Sequence, residues 1–404
     1  MSMKHRLTDL ALGCGCLVVA TGLWLPAVHL LFVPGDDELR GSGPPGALSE
    51  RARGLRDRQR DLWERDAAQH PDVVLMRSNN PEWDLMGRTF TVLALANLAL
   101  REPEGRARNL AVMDRISDDT LEARAEHGPE HFLLPYWRRA PYAAPPRRVL
   151  FVEGEIATML GARQLVEERP ALRAHLRDQV RRVIAQMEEG PMVSGETYPD
   201  ECWTVDNAFG LVAIRLADAA QGEDHSALLA RWVANARERL VDPLTGMLVS
   251  EFTWDGQHND GPEGSSIFLV AHLLQVVDEG FARDQYSRAR HLLGVDVAGF
   301  AYAREWPASW PNVDDVDSGP TIPIAGANAG ASGLAVVAAA AFGDDAFLRG
   351  LLASLDFAAF PITDDRGLRY GASNQVGDAV LLYALVQGPL WERLSSTSPN
   401  GRSS

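Results

Sequence analysis

The chain has 404 residues, 46% hydrophobic content and a formal net charge of −16. It can therefore bury a large core, but it carries the wrong sign of charge for nucleic acid, whose phosphates require a basic surface. Lys4 is the only lysine, so the remainder can supply neither a Schiff base for pyridoxal phosphate nor a P-loop lysine; both classes are excluded, and no cofactor is expected.

Lys4, His5 and Arg6 precede an apolar run from about Leu7 to Val33, interrupted by Asp9, Pro26 and His29. About 20 apolar residues suffice to cross a bilayer, so residues 1–34 read as a cytoplasmic tail and a transmembrane signal anchor. No small-x-small cleavage site closes the run, and the lipobox-like stretch ending at Cys14 lies too early within it. The basic tail, set against Asp36, Asp37 and Glu38, places the remainder on the extracytoplasmic, periplasmic side. Arg51, Arg53, Arg56, Arg58 and Arg60 pull the other way but alternate with acids. With Cys14 and Cys16 in the anchor, Cys202 has no partner for an internal disulfide.

Residues 35–47, rich in glycine and proline, read as a flexible linker. Helical periodicity then dominates. It predicts helices over 48–69, 81–101, 106–126, 148–168, 170–188, 203–221, 224–240, 264–277, 281–293, 329–342, 344–360 and 373–390. These are twelve helices in six pairs if the first pairs with the last. The apolar members starting near Trp203, Gly264 and Ala329 recur about every sixty residues, each followed by a more polar partner. The fold class is therefore all-α, an (α/α)6 toroid over 48–394 with a disordered tail at 395–404. Val241–Trp254 and Ile362–Ser373 read as β-hairpins at its lip.

In such a barrel the loops entering the inner helices share one mouth, and here those loops hold the reactive residue types. They are RSNNPEWD, LPYWRRAPY, YPDECWTVDN, DGQHNDGPEGSS, PNVDDVDSGP and RYGASNQVGD. Asp200, Glu201, Asp206 and Glu263 are the acid/base candidates, because crowded carboxylates in a cleft push one pKa up while another stays ionised. Asp200, Glu201 and Glu263 can equally be helix caps, whereas Asp206 sits inside an otherwise apolar helix. Cys202 joins the set if a base lies near it and is otherwise a small hydrophobe. Trp83, Trp137, Trp203, Trp254, Trp306 and Trp310 crowd the same loops, which suits a ligand with broad apolar faces. Trp83, Trp137, Trp203, Tyr198, His258, Tyr370 and Asn374 form the expected substrate-binding set. No metal site is expected: Asp314, Asp315 and Asp317 lack calcium-loop spacing, and His258 with Asp260 is too few ligands.

EGEIATML from Glu153, YPDECWTVDN, DGPEGSSIFLVAHLLQ from Asp260 and SGPTIPIAGANAGASG from Ser318 together resemble the linalool dehydratase/isomerase-like family. The resemblance covers the chain from about Pro81 onward. It implies an α/α barrel and cofactor-free acid/base chemistry on an allylic alcohol, with Asp84 and Cys202 at the positions of a family aspartate and cysteine. The sequence departs from the family in having no second cysteine beyond the anchor, Thr89-Phe90 where a tyrosine is expected, and no histidine after EGEI. The expected function is an acid/base lyase or isomerase acting on an apolar alcohol. A glycoside hydrolase or polysaccharide lyase acting on a sugar and a non-catalytic binding protein stay open beside it.

Overall fold

Small residues decide how closely the inner helices of this chain approach. A Cβ on Gly161 would lie 2.7 Å from the Cβ of Leu216, and one on Gly154 would lie 3.2 Å from the backbone nitrogen of Gly210. These contacts join α7 (Leu150–Val166) to α9 (Thr204–Gln221). The computed structural model describes residues 3–39, 41, 48–64, 70–143, 149–310, 318–323 and 325–397.

The chain begins with α1 (Met3–Trp24), a 3-10 turn (Leu25–Leu31) and the single turn α2 (Asp36–Leu39). It continues through α3 (Glu50–Glu64), α4 (Pro71–Asn79), α5 (Pro81–Arg101), α6 (Arg106–His127), α7, α8 (Pro170–Glu189), α9 and α10 (Ser226–Arg239). The second half holds α11 (Gly264–Leu274), α12 (Glu279–Leu292), α13 (Ala329–Phe342), α14 (Asp345–Ala358), α15 (Gln375–Val386) and α16 (Pro389–Thr397).

Helices α5, α7, α9, α11, α13 and α15 each pack on the next, and α15 packs back on α5, closing a ring. Helices α3, α6, α8, α10, α12 and α14 wrap it, giving an (α/α)6 barrel. The two rings differ in pattern as physics requires. In α8, Leu172, Leu176, Val180, Val183 and Met187 are buried at helical spacing, a single stripe facing inward. The inner helix α13 carries no charge and is built mostly from alanine, glycine and valine. All inner helices start at one end, the mouth. At the base, α16 crosses α5, α7 and α9, tied by the Leu390 N–H donating to Asn97 Oδ1 at 2.9 Å.

Helix ends differ from the periodicity by a few residues, and α4 and α16 are short helices that the periodicity does not flag. Of the expected hairpins, 362–373 forms as β7 (Pro361–Asp364) with β8 (Gly367–Tyr370). The stretch 241–254 forms a short hairpin confined to its turn: the Val241–Leu248 bridge is flanked by Asp242 N–H donating to Met247 O at 2.8 Å and Val249 N–H donating to Leu240 O at 2.9 Å, and Asp242 Oδ2 gathers the turn by accepting from Thr245 N at 2.8 Å and Oγ1 at 2.6 Å. Its β2 (Glu251–Phe252) pairs instead with β1 (Cys202–Trp203). Two pairings are additional: β3 (Gly294–Val297) with β4 (Phe300–Ala303), and β5 (Thr321–Ile322) with β6 (Ala327–Asn328). The β3–β4 turn places Ala298 at φ 49° and Gly299 at φ 82°; alanine there hides a turn usually marked by Asn-Gly. Asp314, Asp315 and Asp317, and residues 398–404 of the expected tail, lie outside the described residues.

Substituting Gly161→Val forces α7 away from Leu216. It should destabilise the barrel by about 1–3 kcal/mol, the usual cost of overpacking, read as a lower denaturant midpoint at unchanged slope. An unchanged midpoint would mean that the two helices are not in this close contact.

Candidate active site

Two residues apart on α7, Glu153 and Glu155 face opposite ways, as helical geometry demands. Glu153 turns outward, where Arg124 of α6 donates to it at 2.7 Å. Glu155 turns inward between Thr89 of α5 and Asp206 of α9. It is fully buried, and neither carboxyl oxygen has a hydrogen-bond partner among the described residues. Burial raises its pKa to about 8; the nearby Thr89 hydroxyl opposes the shift and the Asp206 carboxylate adds to it. Thr89 cannot fully satisfy the glutamate, because its hydroxyl donates to the Leu85 carbonyl at 3.2 Å.

Asp206 occupies the first turn of α9. The loop before it is held by Asn207, whose side chain accepts from Gly195 N at 2.9 Å and donates to Gly195 O at 3.2 Å. That clamp brings the Thr197 hydroxyl to Asp206 Oδ2 at 2.5 Å. Burial raises the Asp206 pKa to about 8; Thr197 opposes the shift, and Glu82 adds to it. Glu82, half-buried in the first turn of α5, accepts from the Tyr198 hydroxyl. Tyr198 in turn accepts from Leu134 N at 2.9 Å and stacks on Tyr136 with ring centroids 4.0 Å apart. A run of carboxyl groups, Glu82, Asp206 and Glu155, thus leads from the mouth inward. Deeper, Phe90 lies 6.2 Å from Phe209 and 5.6 Å from Tyr383. Beneath them His272 Nε2 meets the Tyr383 hydroxyl at 2.7 Å; burial lowers the His272 pKa to about 3, so it is neutral.

The other expected residues are spread around the rim. Asp84 is buried with its carboxylate engaged by Arg77 Nε at 2.8 Å and Arg88 Nε at 3.2 Å. Glu201 pairs with Arg139. Asp200, at φ 60°, accepts from Trp254 N at 2.9 Å. Glu263 precedes α11 and accepts from Ser266 Oγ at 3.1 Å. Cys202 is buried in β1, and burial, with Glu196, Asp200, Glu251 and Asp206 around it, pushes the thiol well above its ordinary value. It is poorly suited to act as a thiolate.

Trp83 and Trp203 are half-buried beside the N-terminal turns of α5 and α9, and Trp137 is half-buried under Arg138, 4.8 Å away. His258 is exposed and bonds the Arg239 carbonyl at 2.8 Å. Asn374 caps α15 by accepting from Gly377 N at 2.9 Å. Tyr370 belongs to another place: its hydroxyl meets Asp356 and Arg51, each at 2.9 Å. Arg51 and Asp356 also line a cleft of about 810 Å³ with Phe32, Phe357 and Phe360, and neither Glu155 nor Asp206 is among its lining residues. One group among the described residues, Asp218, Glu223 and His225, brings potential metal-ligand atoms within 4.8 Å of one another, at the base rather than the mouth.

A family model described as linalool dehydratase/isomerase matches residues 169–376, just over half of the chain. The chain belongs to the linalool dehydratase/isomerase family. A comparison with curated proteins finds no match. Among solved structures, a GH76 α-mannanase of Bacteroides thetaiotaomicron is similar over 76% of this chain and 86% of that one, at 11% identity and a TM-score of 0.46. That likeness is too loose to carry an argument. The matched segment contains Asp206 and Tyr198 but begins after Glu82 and Glu155, which the structure brings to them. Sequence reading did not single out Glu155 or Glu82. The signal for Glu155 was a carboxylate in the apolar run of EGEIATML.

Because both pKa values are raised above the ordinary carboxyl range, folding favours the protonated forms. The stability this provides is present below about pH 4 and is lost as pH rises toward about 8. Each group contributes a slope of about 1.4 kcal/mol per pH unit in that window. Glu155→Gln should flatten the fall in melting temperature between pH 5 and pH 8 and be the more stable protein at pH 8. A pH dependence unchanged by the substitution would show that Glu155 is ionised throughout.

Proposed function

We propose that this member of the family is a cofactor-free dehydratase or isomerase acting on an apolar alcohol, with Asp206 and Glu155 as its proton-transfer pair. The observation that carries the reading is that Glu155 is buried inside the ring without a full set of hydrogen-bond partners, next to a second buried carboxyl of similar affinity for protons. Two such groups share protons, and the form holding one proton contains both an acid and a base. Asp206, nearer the mouth, donates its proton to the substrate hydroxyl; the C–O bond breaks and water leaves. Glu155, ionised, takes a proton from the neighbouring carbon, and that electron pair forms the C=C bond. In the isomerase direction, water adds back at the other end of the allylic system. Phe90 and Phe209 offer an apolar floor for the hydrocarbon part.

Tyr198, held by Glu82 and Leu134, orients the entrance. Cys202 serves as packing under the loop. The burial of both carboxyl groups favours this reading over a sugar-cleaving one, which needs an open groove able to hold a polar chain. The N-terminal segment Leu10–Leu31, long and apolar enough to cross a bilayer, supports a membrane anchor, and the basic residues ahead of it set against Asp36, Asp37 and Glu38 behind it support a cytoplasmic tail with the barrel on the periplasmic side.

Incubating the full-length protein with a panel of tertiary and allylic alcohols, with volatile alkenes and rearranged alcohols detected by gas chromatography, tests the proposal. Asp206→Asn and Glu155→Gln should each lower kcat by about 10²–10⁴-fold, whereas Cys202→Ala should stay within a few-fold. The kcat/KM profile should be bell-shaped and centred near pH 8. Turnover that survives both carboxyl substitutions would remove the pair from the mechanism.

A further inference from the structure

Beyond the N-terminal segment, the large apolar side chains exposed among the described residues all lie at one end of the barrel. Val74 and Leu75 lie on α4, ahead of α5; Leu244 lies between α10 and α11. Val297 and Ile322 lie between α12 and α13, and Phe360 and Ile362 between α14 and α15, with Phe357 in the last turn of α14. Every one of these connections runs from an outer helix to an inner one, so all belong to the mouth. Connections at the base, such as 102–105, 167–169 and 222–225, expose no large apolar side chain and are mostly charged or polar.

The N-terminal segment arrives at this same end. Phe32 packs edge-on against Phe357 at 5.3 Å, and His29 and Phe32 lie 6.2 and 6.4 Å from Phe300 of the β3–β4 hairpin. Leu30 and Leu31 beside them are 68% and 76% exposed. Past this point Arg349 of α14 donates to the Pro34 carbonyl at 2.9 Å and pairs with Asp36, fixing the chain against the barrel wall. The apolar helix therefore leaves the barrel from its mouth rim.

We infer that the mouth rim is a membrane-docking surface. The barrel sits mouth-down on the phospholipid bilayer that holds its own anchor, with the apolar tips of four connections sunk at the lipid boundary. The site then opens toward the lipid phase, where an apolar alcohol partitions. Scattered exposed apolar residues need no explanation, but their confinement to one end, around the exit of the anchor, does. With a net charge of −16, the attraction is apolar rather than electrostatic, so docking should persist at high salt and without anionic lipid.

This inference rests on the anchor reading and adds the direction in which the mouth faces. The test uses the full chain carrying Cys14→Ser and Cys16→Ser, with Cys202 left in place because it is buried. Single cysteines are introduced as Val297→Cys and Leu75→Cys at the rim, Asp224→Cys at the base and Val18→Cys in the anchor. Each carries an environment-sensitive fluorophore and is reconstituted in phosphatidylcholine vesicles with or without nitroxide-labelled acyl chains. The expected result is strong quenching at position 18, clear quenching at both 297 and 75, and none at 224, unchanged by high salt. Quenching at 18 with both rim positions as unquenched as 224, or with only one of them quenched, overturns the docking surface and leaves the anchor standing. No quenching at 18 overturns both.

Discussion

The geometry of this protein depends on how closely α7 and α9 approach, and glycine sets that distance. Gly154 against Gly210 and Gly161 against Leu216 leave no room for a side chain between the helices. The contact excludes water from the barrel interior beside them, and it holds Glu155 and Asp206 in neighbouring positions on the inward faces. Excluding water raises both pKa values, and proximity couples them. A looser pair of helices would hydrate the carboxyl groups and return them to ordinary acids.

Stability and function pull against each other here. A buried carboxyl group without a full set of partners costs free energy, and the cost grows as pH rises and the group ionises. The remaining structure offsets this with a continuous apolar core and with ion pairs that tie neighbouring helices together, such as Arg163 of α7 with Asp114 of α6 and Arg169, ahead of α8, with Asp118 of α6. Asp84 shows the alternative treatment of a buried acid: two arginines pair it, and the charge is stabilised rather than kept available. Within one barrel, the same residue type serves both ends according to whether arginine is supplied beside it.

The ring was legible in the sequence because its two layers obey different patterns: charge-free helices such as α13 inside, and single apolar stripes such as that of α8 outside. Asp206 was legible for a related reason, as a carboxylate in an apolar helical run. Glu155 met the same criterion but was read only as part of EGEIATML, where Glu153 at i−2 looks equivalent; only helical phase separates the outward acid from the inward one. The pairing of Asp84 was half-legible, since Arg88 lies one turn on, whereas Arg77 reaches it from a separate helix. The joining of Tyr198 to Glu82 was not legible, because it links residues 116 positions apart through a loop whose path depends on Asn207. The rim's apolar tips were hidden similarly, being scattered singly along the chain and gathered only by the barrel's closure.

The central claim is that Glu155 and Asp206 are held as neutral carboxylic acids near neutral pH. Infrared difference spectroscopy of the carboxyl carbonyl stretch, comparing the native chain with Glu155→Gln and Asp206→Asn across pH 5 to 10, measures this directly. The account predicts that each substitution removes a protonated-carboxyl band present at pH 6, and that both bands bleach together around pH 8. Carboxylate bands alone at pH 6, unaffected by either substitution, would contradict it.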